Sequence, residues 1–159
     1  MTAEERRART RGSATEEVWI AFAGRSEMPW LRLFRPGFRH CFAALADAEG
    51  WTLVDPLSGR LVVQRLAVPR GFDLPGFWRR AGFRVLGPFA PAPPSPSRLP
   101  PLLPATCVTA CLALLGRRGR FLLSPYALYR TLSAELRASA CRASACIGKN
   151  TLTRPSPSG

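Results

Sequence analysis

Phe38-Arg-His-Cys-Phe-Ala-Ala-Leu-Ala-Asp-Ala-Glu-Gly-Trp-Thr-Leu-Val-Asp55 decides the fold. Phe38 to Leu45 is short, apolar and flanked by punctuation, as a strand is. Asp47-Ala-Glu-Gly50 carries turn residues, and Trp51 to Asp55 is a second strand, stopped by Pro56. The two form a β-hairpin. Leu57-Ser-Gly59 supplies another turn, and Arg60 to Val68, with Leu61, Val62, Val63 and Leu66, extends the meander by a third strand. Before the hairpin, Val18 to Ala23 reads as a buried strand closed by Gly24, and Pro29 to Gly37 as a connection whose Trp30, Leu31, Leu33 and Phe34 pack on the core. After it, Asp73 to Ala81 has a proline near its start and Gly82 past its end, the asymmetry of a short helix. Phe83 to Leu86 suits one more strand.

The second half changes character. Pro88 to Pro104 is proline-dense, which excludes helix and interior strand and leaves an extended connector. A helix from Cys107 to about Leu115 follows, with Thr106 as N-cap and Gly116 as its stop. Another begins at Ser124-Pro125, with Leu128, Leu132 and Leu136 along one side beside Tyr129. From Arg137 the segment Arg-Ala-Ser-Ala-Cys occurs twice in tandem, and the end is rich in proline and serine. The expected organisation is a disordered start over residues 1–14, one α+β domain over 15–136 with the 88–104 connector inside it, and a disordered low-complexity tail over 137–159.

The length of 159 residues suits one domain, and no apolar run reaches the ~20 residues of a bilayer span. No apolar core follows the charged Met1-Thr-Ala-Glu-Glu-Arg-Arg, so the expected location is the cytoplasm, where thiols stay reduced. The five cysteines fit neither a zinc ribbon nor a C-x-x-C motif and are read as free thiols. The net charge of +13 invites a nucleic-acid partner. Against it, the basic residues are arginines with a single lysine, Lys149, and they are scattered along the chain.

Motifs for nucleotide binding, serine hydrolysis and metalloproteolysis are absent. Cys107 stands out because a first-turn position on a capped helix favours the thiolate, and first-turn amides suit an oxyanion. A small buried hydrophobe is the plain alternative for it. His40 is the sole imidazole. Antiparallel pairing about a turn near Ala48 sets it opposite residue 55 or 56, so Asp55 is the candidate that orients it, or else a turn residue before Pro56. Cys41 points to the other face of the strand, and Cys111 lies one turn after Cys107 as a core residue. That alternation also disfavours a metal site built from His40, Cys41, Cys107 and Cys111. No cofactor is called for.

These pieces resemble the circularly permuted branch of the NlpC-type papain-like thiol hydrolases, in its small phage- and prophage-associated form. There the histidine strand precedes the cysteine helix. The matching segments are Phe38-Arg-His40-Cys-Phe-Ala, Trp51-Thr-Leu-Val-Asp55-Pro56, Ala105-Thr-Cys107-Val-Thr-Ala and Leu123-Ser-Pro125-Tyr-Ala-Leu-Tyr129, within roughly residues 16–136. The resemblance implies a papain-like core, with Cys107 as nucleophile, His40 as base and Asp55 as third polar group. It implies a cysteine hydrolase or acyltransferase whose partner is a peptide, amide or acyl substrate. The alternatives are an inactive phage-derived assembly protein of the same fold and a basic nucleic-acid-associated module.

Overall fold

The computed structural model describes residues 16–24, 35–57, 60–92, 106–117 and 124–149. Five strands form one antiparallel sheet: β1 (Glu17–Ala23), β2 (His40–Asp47), β3 (Gly50–Leu57), β4 (Arg60–Arg65) and β5 (Arg84–Phe89). Their order is β4-β3-β2-β1-β5. Three helices pack on it: α1 (Leu74–Arg80), α2 (Cys107–Leu114) and α3 (Pro125–Lys149). The architecture is α+β, with the C-terminal helices on the sheet as expected. The expected starts of residues 1–14, the packed segment 29–34 with Trp30, the turn at 58–59, connector residues 93–104 and the end of the tail at 150–159 lie outside the described residues.

Alternation along the strands splits the interior into two cores. Val18, Ile20, Phe22, Cys41, Ala43 and Val54 face α2 and α3, against Val108, Cys111, Leu112, Leu128 and Leu132. Ala21, Ala23, Phe42, Ala44, Ala46 and Trp51 face α1 and meet Leu74 and Trp78. Trp51 and Trp78 are therefore core on the α1 side. At about 25 cal/mol per Å² of apolar surface removed from water, this burial on both faces is the main stabilising term. On β1 the α1 side carries Ala21 and Ala23, whereas the α2–α3 side carries the larger Val18, Ile20 and Phe22.

Several element limits differ from those expected, each for a definable reason. Pro56 lies within β3 and pairs with Leu61, rather than ending the strand. The β2–β3 ladder stops at Ala43↔Val54, so the missing donor of Pro56 removes no bond to β2. β5 runs through Pro88 to Phe89, inside the stretch assigned to the connector, because it is an edge strand and tolerates proline. β4 stops at Arg65 rather than Val68, where the chain bends and the Leu66 amide donates to the Trp51 carbonyl. α3 continues through the tandem segments to Lys149 rather than stopping near residue 136. Those segments are rich in alanine and arginine, both strong helix formers. Among the described side chains of α3, Leu136 is the last packed against the core, and 137–142 are exposed.

Candidate active site

The site is assembled at the end of β2 where that strand begins. Gly37 adopts φ of +86°, which suits glycine, and turns the chain into the strand. Phe38 then inserts its ring among Phe22, Tyr126 and Tyr129, with centroids 6.0, 5.1 and 4.8 Å away. That aromatic cluster fixes the entry of β2, and His40 follows two residues later.

His40 lies on the α1 side of the sheet and stacks on Phe42. Asp47 and Gly50 pair across a two-residue turn, which extrapolates to Phe42 opposite Asp55 and His40 opposite Leu57. The expected pairing of residue 40 with 55 or 56 is thus offset, and contact is made on the diagonal. β2 and β3 stop pairing beyond Ala43↔Val54, and across that opening His40 Nε2 meets Asp55 Oδ1 at 2.6 Å. The two side chains are 16% and 24% exposed, which shields the pair without sealing it. A carboxylate only accepts, so Nε2 carries the proton and donates. Nδ1 is left as the ring nitrogen for a second partner.

Cys107 approaches the ring from the opposite layer, near enough for the two groups to shift each other's ionisation. Thr106 caps α2, its hydroxyl accepting from the Thr109 amide at 3.2 Å while the Thr109 hydroxyl accepts from the Thr106 amide at 2.7 Å. This reciprocal box places Cys107 at the first helical position. Gly116, at φ of +63°, ends the helix as expected. Cys107 is partly buried, and its thiol is pushed down to about 4. The largest cause is hydrogen bonding from the Cys41 thiol, working against the desolvation that raises it. Hydrogen bonding with His40, the Cys41 amide and the nearby imidazolium charge lower it further. His40 responds in the complementary sense. Burial lowers its basicity, but hydrogen bonds to Cys107 and Asp55 outweigh that and raise it above the ordinary histidine value. The pair accordingly favours thiolate and imidazolium.

All three candidate residues, Cys107, His40 and Asp55, are thus brought together. By alternation, the side chain of Cys41 leaves the opposite face of β2 from His40. The alternation is real, but α2 packs on the Cys41 face, and Cys107 reaches both neighbours at the open end of the strand. Cys41 is fully buried, its thiol driven well above its ordinary value by hydrogen bonding to Cys107, then to Cys111. Cys111 is core, as expected, with its sulfur 3.9 Å from that of Cys41. Cys107 and Cys111 lie four apart on the buried side of α2, so a cysteine on the facing strand was the sequence signal for this contact. Cys41, Cys107, Cys111 and Cys141 are free thiols. Among the described residues, no set of three or more His, Cys, Asp or Glu side chains forms a metal site. None of the helices among them is long and apolar enough to cross a membrane.

No family model, curated protein or solved structure matches this chain.

Proposed function

We propose that the protein is a cysteine-dependent hydrolase or acyltransferase acting on an amide, ester or thioester. The observation that carries this reading is the sole imidazole held by Asp55 at 2.6 Å, beside a first-turn Cys107 thiol that this imidazole helps to keep ionised. A thiolate beside an imidazolium is a preformed nucleophile–acid pair.

Cys107 Sγ attacks the substrate carbonyl carbon, and the carbonyl π electrons move to oxygen. The Thr109 amide is engaged by Thr106, so the oxyanion falls to the amides of Cys107 and Val108. As the tetrahedral intermediate collapses, His40 gives its proton to the leaving amine, alcohol or thiol. An S-acyl enzyme results. Water, or an acceptor nucleophile in the transferase case, then loses a proton to His40 and attacks the thioester, and the sulfur leaves as thiolate. Asp55 keeps the ring oriented and supports its charged form. The resemblance to permuted NlpC-type enzymes agrees with this order of strand and helix. Against the basic nucleic-acid-associated reading, Arg65 pairs with Asp47, Arg70 with Glu17 and Arg117 with Glu135.

The test is single-turnover reaction with an activated ester, with the acyl group mapped by mass spectrometry. Acyl transfer to Cys107 that is lost in Cys107→Ala and slowed in His40→Ala is the expected result. A reactive thiol that never accepts an acyl group would overturn the proposal and favour the inactive assembly protein.

A further inference from the structure

Three sulfur atoms meet beneath the candidate site, and the acyl-transfer mechanism uses only one of them. Cys41 projects from β2 between two cysteines that occupy successive turns of α2. Its sulfur lies 3.9 Å from that of Cys111, and Cys107 sits one turn earlier on the same helix, where the two thiols shift each other's ionisation. Cys41 and Cys111 are 0% and 1% exposed, whereas Cys107 is reached from solvent. One thiol is therefore partly open to a small oxidant, and a second, sealed from solvent, lies on the strand that faces it. This asymmetry between an attacking and a resolving sulfur is what reversible thiol oxidation requires.

We propose that Cys107 is a peroxide-modification site, and that Cys41 captures the oxidised sulfur as a Cys41–Cys107 disulfide that reversibly silences the nucleophile. The oxidant is a hydroperoxide. The thiolate of Cys107 attacks its distal oxygen, the O–O bond breaks, and sulfur loses two electrons to become the sulfenic acid while alkoxide or hydroxide departs. The Cys41 sulfur then attacks the Cys107 sulfur. The S–O bond breaks as the S–S bond forms, and the hydroxyl leaves with the Cys41 proton as water. A dithiol reductant restores both thiols by exchange. The raised acidity of Cys107, which keeps it as thiolate, favours the first step. Once that sulfur is neutral, the hydrogen bond that held the proton on Cys41 is gone, which favours the second. The capture also protects Cys107, because a sulfenic acid without a nearby thiol proceeds irreversibly to the sulfinic acid. The chemistry needs only these sulfurs, so it stands or falls separately from acyl transfer.

The experiment uses the full chain carrying Cys141→Ser and Cys146→Ser to prevent bonds between molecules. The reduced protein is treated with one equivalent of hydrogen peroxide and mapped by peptide mass spectrometry. A Cys41–Cys107 bond is expected, with loss of alkylation at Cys107 and its full return after dithiothreitol. Cys111→Ser retains this behaviour. In Cys41→Ala, a second equivalent of peroxide carries Cys107 on to sulfinic acid and alkylation does not return, whereas the protein with Cys41 resists that second equivalent. Conversion of Cys107 to sulfinic acid in the protein with Cys41 intact overturns the proposal. So does a Cys41–Cys111 bond with Cys107 still alkylatable. The bond map in the parent protein decides the matter even if Cys41→Ala fails to fold.

Discussion

Replacing His40 with alanine isolates the interaction on which the site depends. Cys107 ionises near 4 in the folded protein, so at pH 5 roughly nine-tenths of it is thiolate. An opposite charge in contact with a titrating group moves it by about 1–3 units. Removing the imidazole takes away both its hydrogen bond and its charge, while the Cys41 thiol and amide remain. A rise of about 2 units is expected, which leaves roughly a tenth of the thiol ionised at pH 5 and corresponds to about 2.7 kcal/mol. The assay is ultraviolet thiolate absorbance across acid pH, matched by the pH dependence of iodoacetamide alkylation at Cys107, with circular dichroism as the control for folding. The direction follows from linkage. The folded thiol ionises below its unfolded value, so this group stabilises the fold fully above the unfolded value and loses that contribution as pH falls through about 4. His40→Ala shifts that acid limb upward. A folded His40→Ala protein whose Cys107 inflection stays where it was would refute the pairing of sulfur and imidazole.

Asp55→Asn keeps a polar group beside His40 but removes the charge. It should lower His40 basicity and slow acylation of Cys107 by about 10²-fold, within the range for a disturbed acid–base pair; unchanged single-turnover rates would remove Asp55 from the mechanism. Thr106→Ala deletes the capping box and should cost about 1 kcal/mol in urea denaturation, with a lower Cys107 alkylation rate because the first turn frays. Leu132→Ala empties a position with no solvent exposure between α3 and the sheet and should cost about 2–5 kcal/mol by the same measurement. Asp47 accepts from Arg65 at 2.6 Å and from the Glu49 and Gly50 amides, which hold its carboxyl well below the usual range. Its contribution is therefore present above the unfolded carboxylate value of about 3.9 and fades as pH falls further. The Tm difference between the parent and Arg65→Ala, small because the pair is exposed, should be visible at neutral pH and vanish in acid.

Much of the fold is legible because local patterns agree with tertiary demands. The apolar run of β2, the Asp47-to-Gly50 turn, the proline and glycine that bracket α1 and the Thr106 cap of α2 each mark an element by its own residues. The differences arise where position in the sheet overrides a local breaker. Pro56 and Pro88 look like stops, yet neither faces a neighbour that needs its amide. That fact belongs to strand order, which no local window contains. The site shows the same division. Cys107, His40 and Asp55 are legible as a reactive position, a sole imidazole and an acid on its face. Cys41 is not, because its role follows from which side of the sheet α2 occupies. The run of α3 past Leu136 reflects intrinsic helix propensity in a stretch whose described side chains, 137–142, are exposed, a signal that hydrophobic periodicity does not register.

The parting of β2 from β3 past Ala43 has a consequence for when the sulfur becomes reactive. Imidazole and carboxylate come from one layer of the molecule, the thiol from another, and they meet only through that gap. An isolated α2 has no imidazole, and an isolated hairpin has no thiol acidified by a helix. During synthesis the histidine strand is made well before the cysteine helix, so a growing or partly unfolded chain carries an ordinary, sluggish sulfhydryl. Reactivity switches on with the last docking event, which spares the unfinished chain from attacking its surroundings.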